Sequence, residues 1–170
     1  MGITVYEPAP AHPDERRRER AVEDSRVLDA RNDPVLQTLV ETARLSFKVS
    51  MAAVSIIYGD YQYLIAASGL PTGPYGRRTS FCGHVIVQQD PVFCVPDALA
   101  DKRFANSPAV LDDSLVRFYA GAMLVGQDNM PLGALCVWDR KPRDCFPGHD
   151  EICLRSLAEE VMERIASFHR

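Results

Sequence analysis

Two apolar stretches in the second half of the chain, RFYAGAMLVG (117–126) and PLGALCVWD (131–139), decide the predicted fold. Both are rich in aromatic and aliphatic residues, and GQDN (126–129) can form the turn between them. Such runs predict two strands joined by a hairpin, which pair antiparallel. Alternation along the first strand puts Phe118 and Tyr119 on opposite faces, and the sequence leaves open which face meets a cavity.

A second hairpin is predicted upstream. AAVSIIY (52–58) and YQYLIAA (61–67) are rich in β-branched and aromatic residues, and Gly59-Asp60 between them predicts a tight turn. Residues 69–80 hold several glycines and prolines, so we expect a loop there. VFCV (92–95) predicts one further short strand.

Helices are predicted at both ends of the chain. The first runs from Asp14 to about Ala30, and the second begins after Asp33, which can cap it. The last runs from about His149 to Phe168 and carries an apolar stripe of ordinary width. Between the hairpins, Ser80 can cap a short helix, and residues 96–114 form a weakly regular crossover. The order predicts an α+β fold with an antiparallel sheet of five to six strands and the terminal helices on one face.

Composition limits the class of protein. The 170 residues are 46% hydrophobic and 25% charged, which fits one globular domain, here residues 14–170. The net charge is −4, which argues against nucleic acid as a partner. The arginines between positions 15 and 20 sit among acids and predict a solvated helix face. We find no apolar run of the roughly 18 residues that a membrane span needs.

The N-terminus and the cysteines favour a cytoplasmic protein. Residues 1–13 contain three prolines without periodicity, so we expect a flexible extension, and the pattern of a signal peptide is absent. The five cysteines are odd in number and include no CxxC pair, which favours reduced thiols.

The order of elements and several sequence strings together resemble a GAF domain, a sensing and dimerising module related to PAS domains. GAF domains are common in bacterial histidine kinases, cyclic di-GMP enzymes and transcription regulators. The strings that carry the resemblance are SFCGHVI (80–86), VPDALADKRFANSPAV (95–110), RFYAGAMLV (117–125) and PLGALCVWDRKPR (131–143). It covers roughly residues 16–168.

The resemblance implies a small-molecule pocket between the sheet and the crossover. The candidate ligand-binding residues are Cys82, His84, Asp97, Phe104, Arg117, Tyr119 and Trp138. Each also has a structural interpretation. Cys82 and His84 could support thiol chemistry, or could be a buried thiol and a hydrogen-bonded histidine. Arg117, like Arg103, could bind an anionic ligand or make local ion pairs, and Tyr119 and Trp138 could stack on a ring or pack in the core.

Departures from the motifs of related classes weaken the enzymatic and chromophore interpretations. GAF-type methionine sulfoxide reductases carry their catalytic thiol in a stretch that corresponds to residues 106–114, where this chain has no cysteine. The Cys-His dipeptide of bilin-binding domains is absent, and Asp101, Lys102, Phe104, Asp112 and Asp113 only loosely echo a cyclic-nucleotide signature. Metal-ligand spacing is also absent, so we predict no metal, no cofactor and no catalytic residues.

The sequence therefore favours a non-catalytic, cytoplasmic sensor that dimerises through its terminal helices and binds an unknown small ligand. It could be the N-terminal sensor part of a kinase or cyclic di-GMP enzyme with a downstream output domain. A ligand-free dimerisation module and, less favoured, a thiol-based methionine sulfoxide reductase remain the alternatives.

Overall fold

The computed structural model describes residues 5–111, 115–144 and 146–169. Short 3₁₀ turns at Val27–Ala30 and Gln127–Asn129 supplement the main elements. The helices and strands are, in chain order, α1 (Glu15–Ser25), α2 (Pro34–Ser46), β1 (Met51–Tyr58), β2 (Tyr61–Ser68), β3 (Gly73–Gly76), α3 (Cys82–Val85), β4 (Val92–Val95), α4 (Pro108–Leu111), β5 (Phe118–Val125), β6 (Pro131–Asp139) and α5 (Gly148–Ser167).

Six strands form one sheet in the order β3-β2-β1-β6-β5-β4, and every neighbouring pair is antiparallel. This confirms the predicted α+β class, both hairpins and the short strand at 92–95. The prediction of a plain loop over 69–80 was wrong in part, because Gly73–Gly76 pairs with β2. A four-residue strand that contains Gly and Pro carries no alternating apolar pattern, so its sequence gives no strand signal.

The two faces of the sheet carry separate apolar cores. Helices α1, α2 and α5 pack on one face, as predicted, around residues such as Phe118 and Leu124. The crossover between β3 and β5 packs on the other, around Tyr119 and its neighbours. Strand β5 therefore turns its odd-numbered residues to the crossover, which settles the question that the sequence left open.

Helix α2 begins as its sequence predicts. The Asp33 carboxylate accepts hydrogen bonds from the backbone N–H groups of Val35 and Leu36, and Pro34 occupies the first turn. Arg164 of α5 also donates to Asp33, at 2.7 Å, and this lowers the pKa of that carboxyl. The cap of one terminal helix is thus an ion-pair partner of the other.

Two predictions for helix α1 are wrong. It ends at Ser25 rather than near Ala30, because Arg26 has a left-handed backbone (φ 53°) and a 3₁₀ turn follows. Arg18 was predicted on a solvated face, yet it is fully buried. Its Nη1 donates to the carbonyl of Ile57 at 2.7 Å and lies 3.4 Å from that of Pro131.

Glu15 neutralises this buried cation. Its carboxylate accepts from Nε and Nη2 of Arg18, and also from Nη1 of Arg77 at 2.6 Å. Burial alone would raise the pKa of Glu15, but the hydrogen bonds from Arg18 and Arg77 outweigh it and lower that pKa to about 2. The network ties α1 to the end of β1, the start of β6 and the loop after β3.

The segment before α1 lies against the crossover. The backbone N–H of Glu7 donates to the carbonyl of Arg103, and that of Ala9 donates to the carbonyl of Arg78. The side chain of Asn106 donates to the carbonyl of Val5. The flexibility predicted for residues 1–13 stays a prediction, and residues 1–4 lie outside the described residues.

Among residues 5–111, 115–144 and 146–169, we find no helix with the length and apolar character that crossing a membrane requires.

Candidate ligand-binding site

A cavity of about 540 Å³ opens on the crossover face of the sheet. Its floor comes from β1, β2, β5 and β6, and its rim comes from the loop before β3, the start of α3 and helix α4. The lining residues that the argument uses are Gln62, Leu64, Tyr75, Cys82, Ala109, Tyr119 and Trp138. The wall is mainly apolar with a few polar groups, a mixture typical of small-molecule sites.

The structure divides the predicted site residues into two groups. Cys82, Tyr119 and Trp138 line the cavity. His84, Asp97, Phe104 and Arg117 stand in the predicted crossover region but outside the cavity wall. Phe104 and His84 belong to a cluster of aromatic rings that fills the space beside the cavity.

That aromatic cluster consists of Phe81, His84, Phe93, Phe104 and Tyr119. Phe81 stacks on Phe104 with ring centroids 4.4 Å apart, and on Tyr119 at 5.0 Å. The His84 ring meets Phe104 edge-on at 4.8 Å. Stacked and edge-on pairs of this kind stabilise a packed core, so this half of the crossover face is filled.

His84 packs within this cluster and contacts the segment before α1. Its Nε2 lies 3.2 Å from the backbone carbonyl of Glu7. Burial lowers the pKa of His84, and the carbonyl contact opposes this only in part. The ring therefore fits the structural interpretation, in which it anchors the segment before α1.

The charged residues of the crossover make local ion pairs. Nε of Arg117 lies 3.2 Å from Asp97, and Arg103 forms a two-pronged pair with Asp101, with Nη2 at 2.7 Å. Each arginine lowers the pKa of its partner carboxyl. Arg103 also lies over the Phe93 ring at 5.0 Å. These contacts favour the structural interpretation of both arginines.

Cys82 lines the rim of the cavity and is in contact with a second thiol. Its Sγ lies 3.1 Å from the Tyr119 hydroxyl and 3.6 Å from Sγ of Cys136, and both cysteines are free. The hydrogen bond between Cys82 and Cys136 lowers the pKa of Cys82, although burial opposes it. Burial raises the pKa of Cys136 and of Tyr119.

Sequence reasoning missed much of the cavity wall. Gln62 and Leu64 belong to β2, which the prediction did not assign to the pocket. Tyr75 donates its hydroxyl to the carbonyl of Pro71 at 2.8 Å, which pins the rim loop. The glycines and prolines of residues 69–76 were the available signal, since binding residues concentrate on loops.

In the described part of the chain, no three histidine, cysteine or acidic side chains are grouped to hold a metal ion. Asp112, Asp113 and Cys145 lie outside the described residues.

A second depression, a groove of about 740 Å³, lies on the helix side between β5 and α5. Its walls are Pro91, Ala122 and Gln127 on one side and Ala158, Met162 and Ala166 on the other. Charged residues at its rim are Arg155, Glu159 and Glu163.

Comparison with solved structures identifies the fold as GAF-type. The GAF domain of an Acinetobacter phosphoenolpyruvate-protein phosphotransferase superposes with a TM-score of 0.63 at 19% identity, covering 90% of this chain and 95% of that one. A type II free methionine-R-sulfoxide reductase from Thermoplasma acidophilum also superposes with a TM-score of 0.63. The two are 17% identical, and the match covers 84% of this chain and 96% of that one. The chain therefore has the GAF-type fold predicted from its sequence strings.

A curated relative gives a closer match in sequence. A cyclic di-GMP phosphodiesterase of Pseudomonas aeruginosa is 36% identical over 157 residues, which covers 92% of this chain. The chain spans 27% of that relative's length, so the relative is a larger protein. No protein-family model matches the chain.

Proposed function

We propose that the chain is a small-molecule-sensing regulatory domain of a cytoplasmic signalling protein, non-catalytic and homodimeric. The observation that carries this proposal is the cavity beside the aromatic cluster. Strands of the sheet form the floor of the cavity, and a loop that contains proline forms its rim. Tyr119 and Trp138 lie on the floor. Rings on a fixed floor suit a flat, partly apolar ligand, while Gln62 and the Tyr75 hydroxyl offer polar contacts at the side.

Strands β5 and β6 provide the route from the cavity to the helices. Tyr119 and Trp138 meet the cavity, whereas their neighbours Phe118 and Val137 face the core under α2 and α5. A ligand that binds one arrangement of these strands more tightly shifts the population of helix arrangements toward it. This is the minimum physical requirement for a sensor.

The Pseudomonas relative suggests an output for this signal. That protein is a cyclic di-GMP phosphodiesterase, and this chain matches about a quarter of its length. We propose that this domain serves as the regulatory region for an output domain that acts on cyclic di-GMP. The domain itself would supply the control and not the hydrolysis.

Native mass spectrometry of gently purified protein tests the sensor proposal. We expect a mass above that of the denatured chain, because a ligand bound in the cavity would remain in the native complex. Replacing Ala109 in the cavity wall by Phe should fill the space and reduce the retained fraction about tenfold, a loss of about 1.4 kcal/mol in binding. Ala100→Phe, on an exposed position of the same crossover, is the matched control. A wild-type protein of bare mass would contradict the proposal.

The groove between β5 and α5 is the proposed dimer interface. Ile152 is 68% exposed and continues the stripe of Met162 and Ala166 along α5 at helical spacing. Two copies related by a two-fold axis could place Arg155 of each chain against Glu159 of the other. Such an arrangement would cover exposed apolar surface and pair the rim charges.

Replacing Ile152 by Glu should therefore weaken the dimer at least about tenfold, because it buries an unpaired carboxylate. Sedimentation velocity over a range of concentrations measures the effect. Thr42→Glu adds the same charge at an exposed position of α2, which is not part of the groove, and should leave association unchanged. Dimer formation that Ile152→Glu leaves unchanged would contradict this interface. A wild-type protein that is monomeric would contradict it as well.

A ligand-free dimerisation module is the second candidate. The packed cluster of Phe81, Phe93, Phe104 and Tyr119 favours it, because these rings fill part of the crossover face. A dimer of bare mass in the native spectrum would support this function. Methionine sulfoxide reduction is less favoured, because residues 106–114 contain no cysteine to match the catalytic thiol of those enzymes.

A further inference from the structure

We propose that Cys82 and Cys136 form a redox-active thiol pair, in which Cys82 reacts with a hydroperoxide that enters the cavity and Cys136 completes a disulfide. The chemistry needs the cavity as an entry route but no retained organic ligand. It is therefore independent of whether the sensor function proposed above is correct.

The two sulfurs are already neighbours. Sγ of Cys82, at the start of α3, lies 3.6 Å from Sγ of Cys136, in the middle of β6. A disulfide has an S–S distance of about 2.05 Å, so the two atoms must approach by about 1.5 Å. The movement falls on helix α3, which carries Cys82 and is only four residues long.

A chain of hydrogen bonds gives the two thiols different roles. The Tyr119 hydroxyl can donate to Sγ of Cys82, whose S–H donates to Sγ of Cys136, and the Cys136 S–H donates to the carbonyl of Ala53 at 3.4 Å. On ionisation of Cys82, the Cys136 S–H and the Tyr119 hydroxyl can both donate to its thiolate. These donors lower the pKa of Cys82, while burial raises that of Cys136. Cys82 is therefore the nucleophile.

Both cysteines are buried, but they differ in their contact with the cavity. Cys82 lines the cavity, whereas Cys136 is fully buried behind it in the sheet. A small oxidant that enters the cavity meets Cys82 first. Cys136 is then positioned to react with the oxidised sulfur and not with the oxidant.

The reaction balances in two steps. The Cys82 thiolate attacks one oxygen of the hydroperoxide, the O–O bond breaks, and the departing oxygen takes a proton and leaves as an alcohol or water. Cys82 is now a sulfenic acid. The Cys136 sulfur then attacks the Cys82 sulfur, the S–O bond breaks, and hydroxide leaves as water with the Cys136 proton. Two thiols are oxidised and one peroxide is reduced.

Disulfide formation would also disturb the contacts of α3. The Tyr119 hydroxyl loses its thiol partner, and His84 on the same short helix contacts the carbonyl of Glu7. Movement of α3 toward β6 would therefore reach the segment before α1.

Thiol mapping of the full wild-type chain tests the proposal. Reduced protein is treated with a small molar excess of hydrogen peroxide, denatured, alkylated and digested without reductant. We expect a peptide that joins Cys82 to Cys136, reversible by dithiothreitol. We also expect Cys82 to be oxidised at least about tenfold faster than Cys153, which is exposed on α5 and serves as an internal control.

Variants separate the two steps. Cys136→Ser should stop the reaction at a sulfenic acid on Cys82, which dimedone traps, and Cys153→Ser should leave the cross-link unchanged. Because the wild-type mapping needs no variant, a misfolded Cys136→Ser protein would not compromise the test. Two results would overturn the proposal. In the first, Cys82 and Cys136 are both still alkylated after Cys153 has been oxidised. In the second, Cys82 is cross-linked to Cys94 instead of Cys136.

Discussion

Replacing Arg18 by Ala is expected to lower the free energy of unfolding by about 3–5 kcal/mol, because it breaks a buried ion pair. The guanidinium is fully buried and donates to Glu15 and to the carbonyl of Ile57. Without it, Glu15 keeps only Arg77 as a cationic partner, and the Ile57 carbonyl loses this donor. Urea unfolding of both proteins measures the difference.

Arg17→Ala is the matched control for Arg18→Ala. Arg17 is the neighbouring residue of the same helix and is exposed, so its loss should change stability by less than about 0.5 kcal/mol. Equal effects of the two substitutions would show that the buried network contributes nothing.

Acid titration gives the same test a second readout. The pKa of Glu15 falls from its ordinary value of 4.5 to about 2 in the folded protein. A lowered carboxyl pKa adds stability above pH 4.5 that is lost as the pH falls toward 2. Arg18→Met removes one of the two arginines that lower this pKa, so its loss of stability over that range should be smaller than in the wild type.

Replacing Gly133 by Ala is expected to lower the free energy of unfolding by about 3 kcal/mol or more, because the added methyl group overpacks the sheet. Gly133 lies in β6 opposite Ile56 of β1. A Cβ added there would stand 1.9 Å from the carbonyl oxygen of Ser55 and 2.9 Å from Cα of Ile56. Both atoms belong to the backbone of a central strand, which a side-chain rotation cannot move aside. Thermal and urea unfolding report the loss.

Gly148→Ala provides a control of opposite sign. Gly148 is the first residue of α5, and an added Cβ meets no atom within 4 Å. Alanine also lowers the conformational entropy of the unfolded chain, so we expect a gain of about 0.5 kcal/mol. A loss at Gly148 as large as that at Gly133 would indicate that the close approach in the sheet is not the cause.

The parts of the fold that were predicted correctly have strong local signals. Helix α2 begins at Asp33 and Pro34 as expected, because capping depends on neighbours in sequence. Arg18 was misassigned because its partners, Ile57 and Pro131, are distant along the chain. A charged residue in a charged helix gives no sign that a tertiary contact will bury it.

The candidate site was predictable only in outline. The resemblance placed Cys82, Tyr119 and Trp138 near a pocket, and the structure puts all three in the cavity wall. It could not show that Phe104 and His84 would pack into a ring cluster, because that depends on how the crossover folds. Nothing in the sequence connected Cys136 with this site, because its contact with Cys82 joins positions 54 residues apart.

The sheet ends in two short strands, and this determines how copies of the chain can meet. Strand β3 contains Pro74, which has no N–H to donate, and β4 lies between Pro91 and Pro96. Edges that are four residues long and bounded by proline are poor templates for a neighbouring chain's strand, and they protect against growth into fibrous aggregates. Lateral extension of the sheet is therefore disfavoured, and self-association is directed to side-chain surfaces.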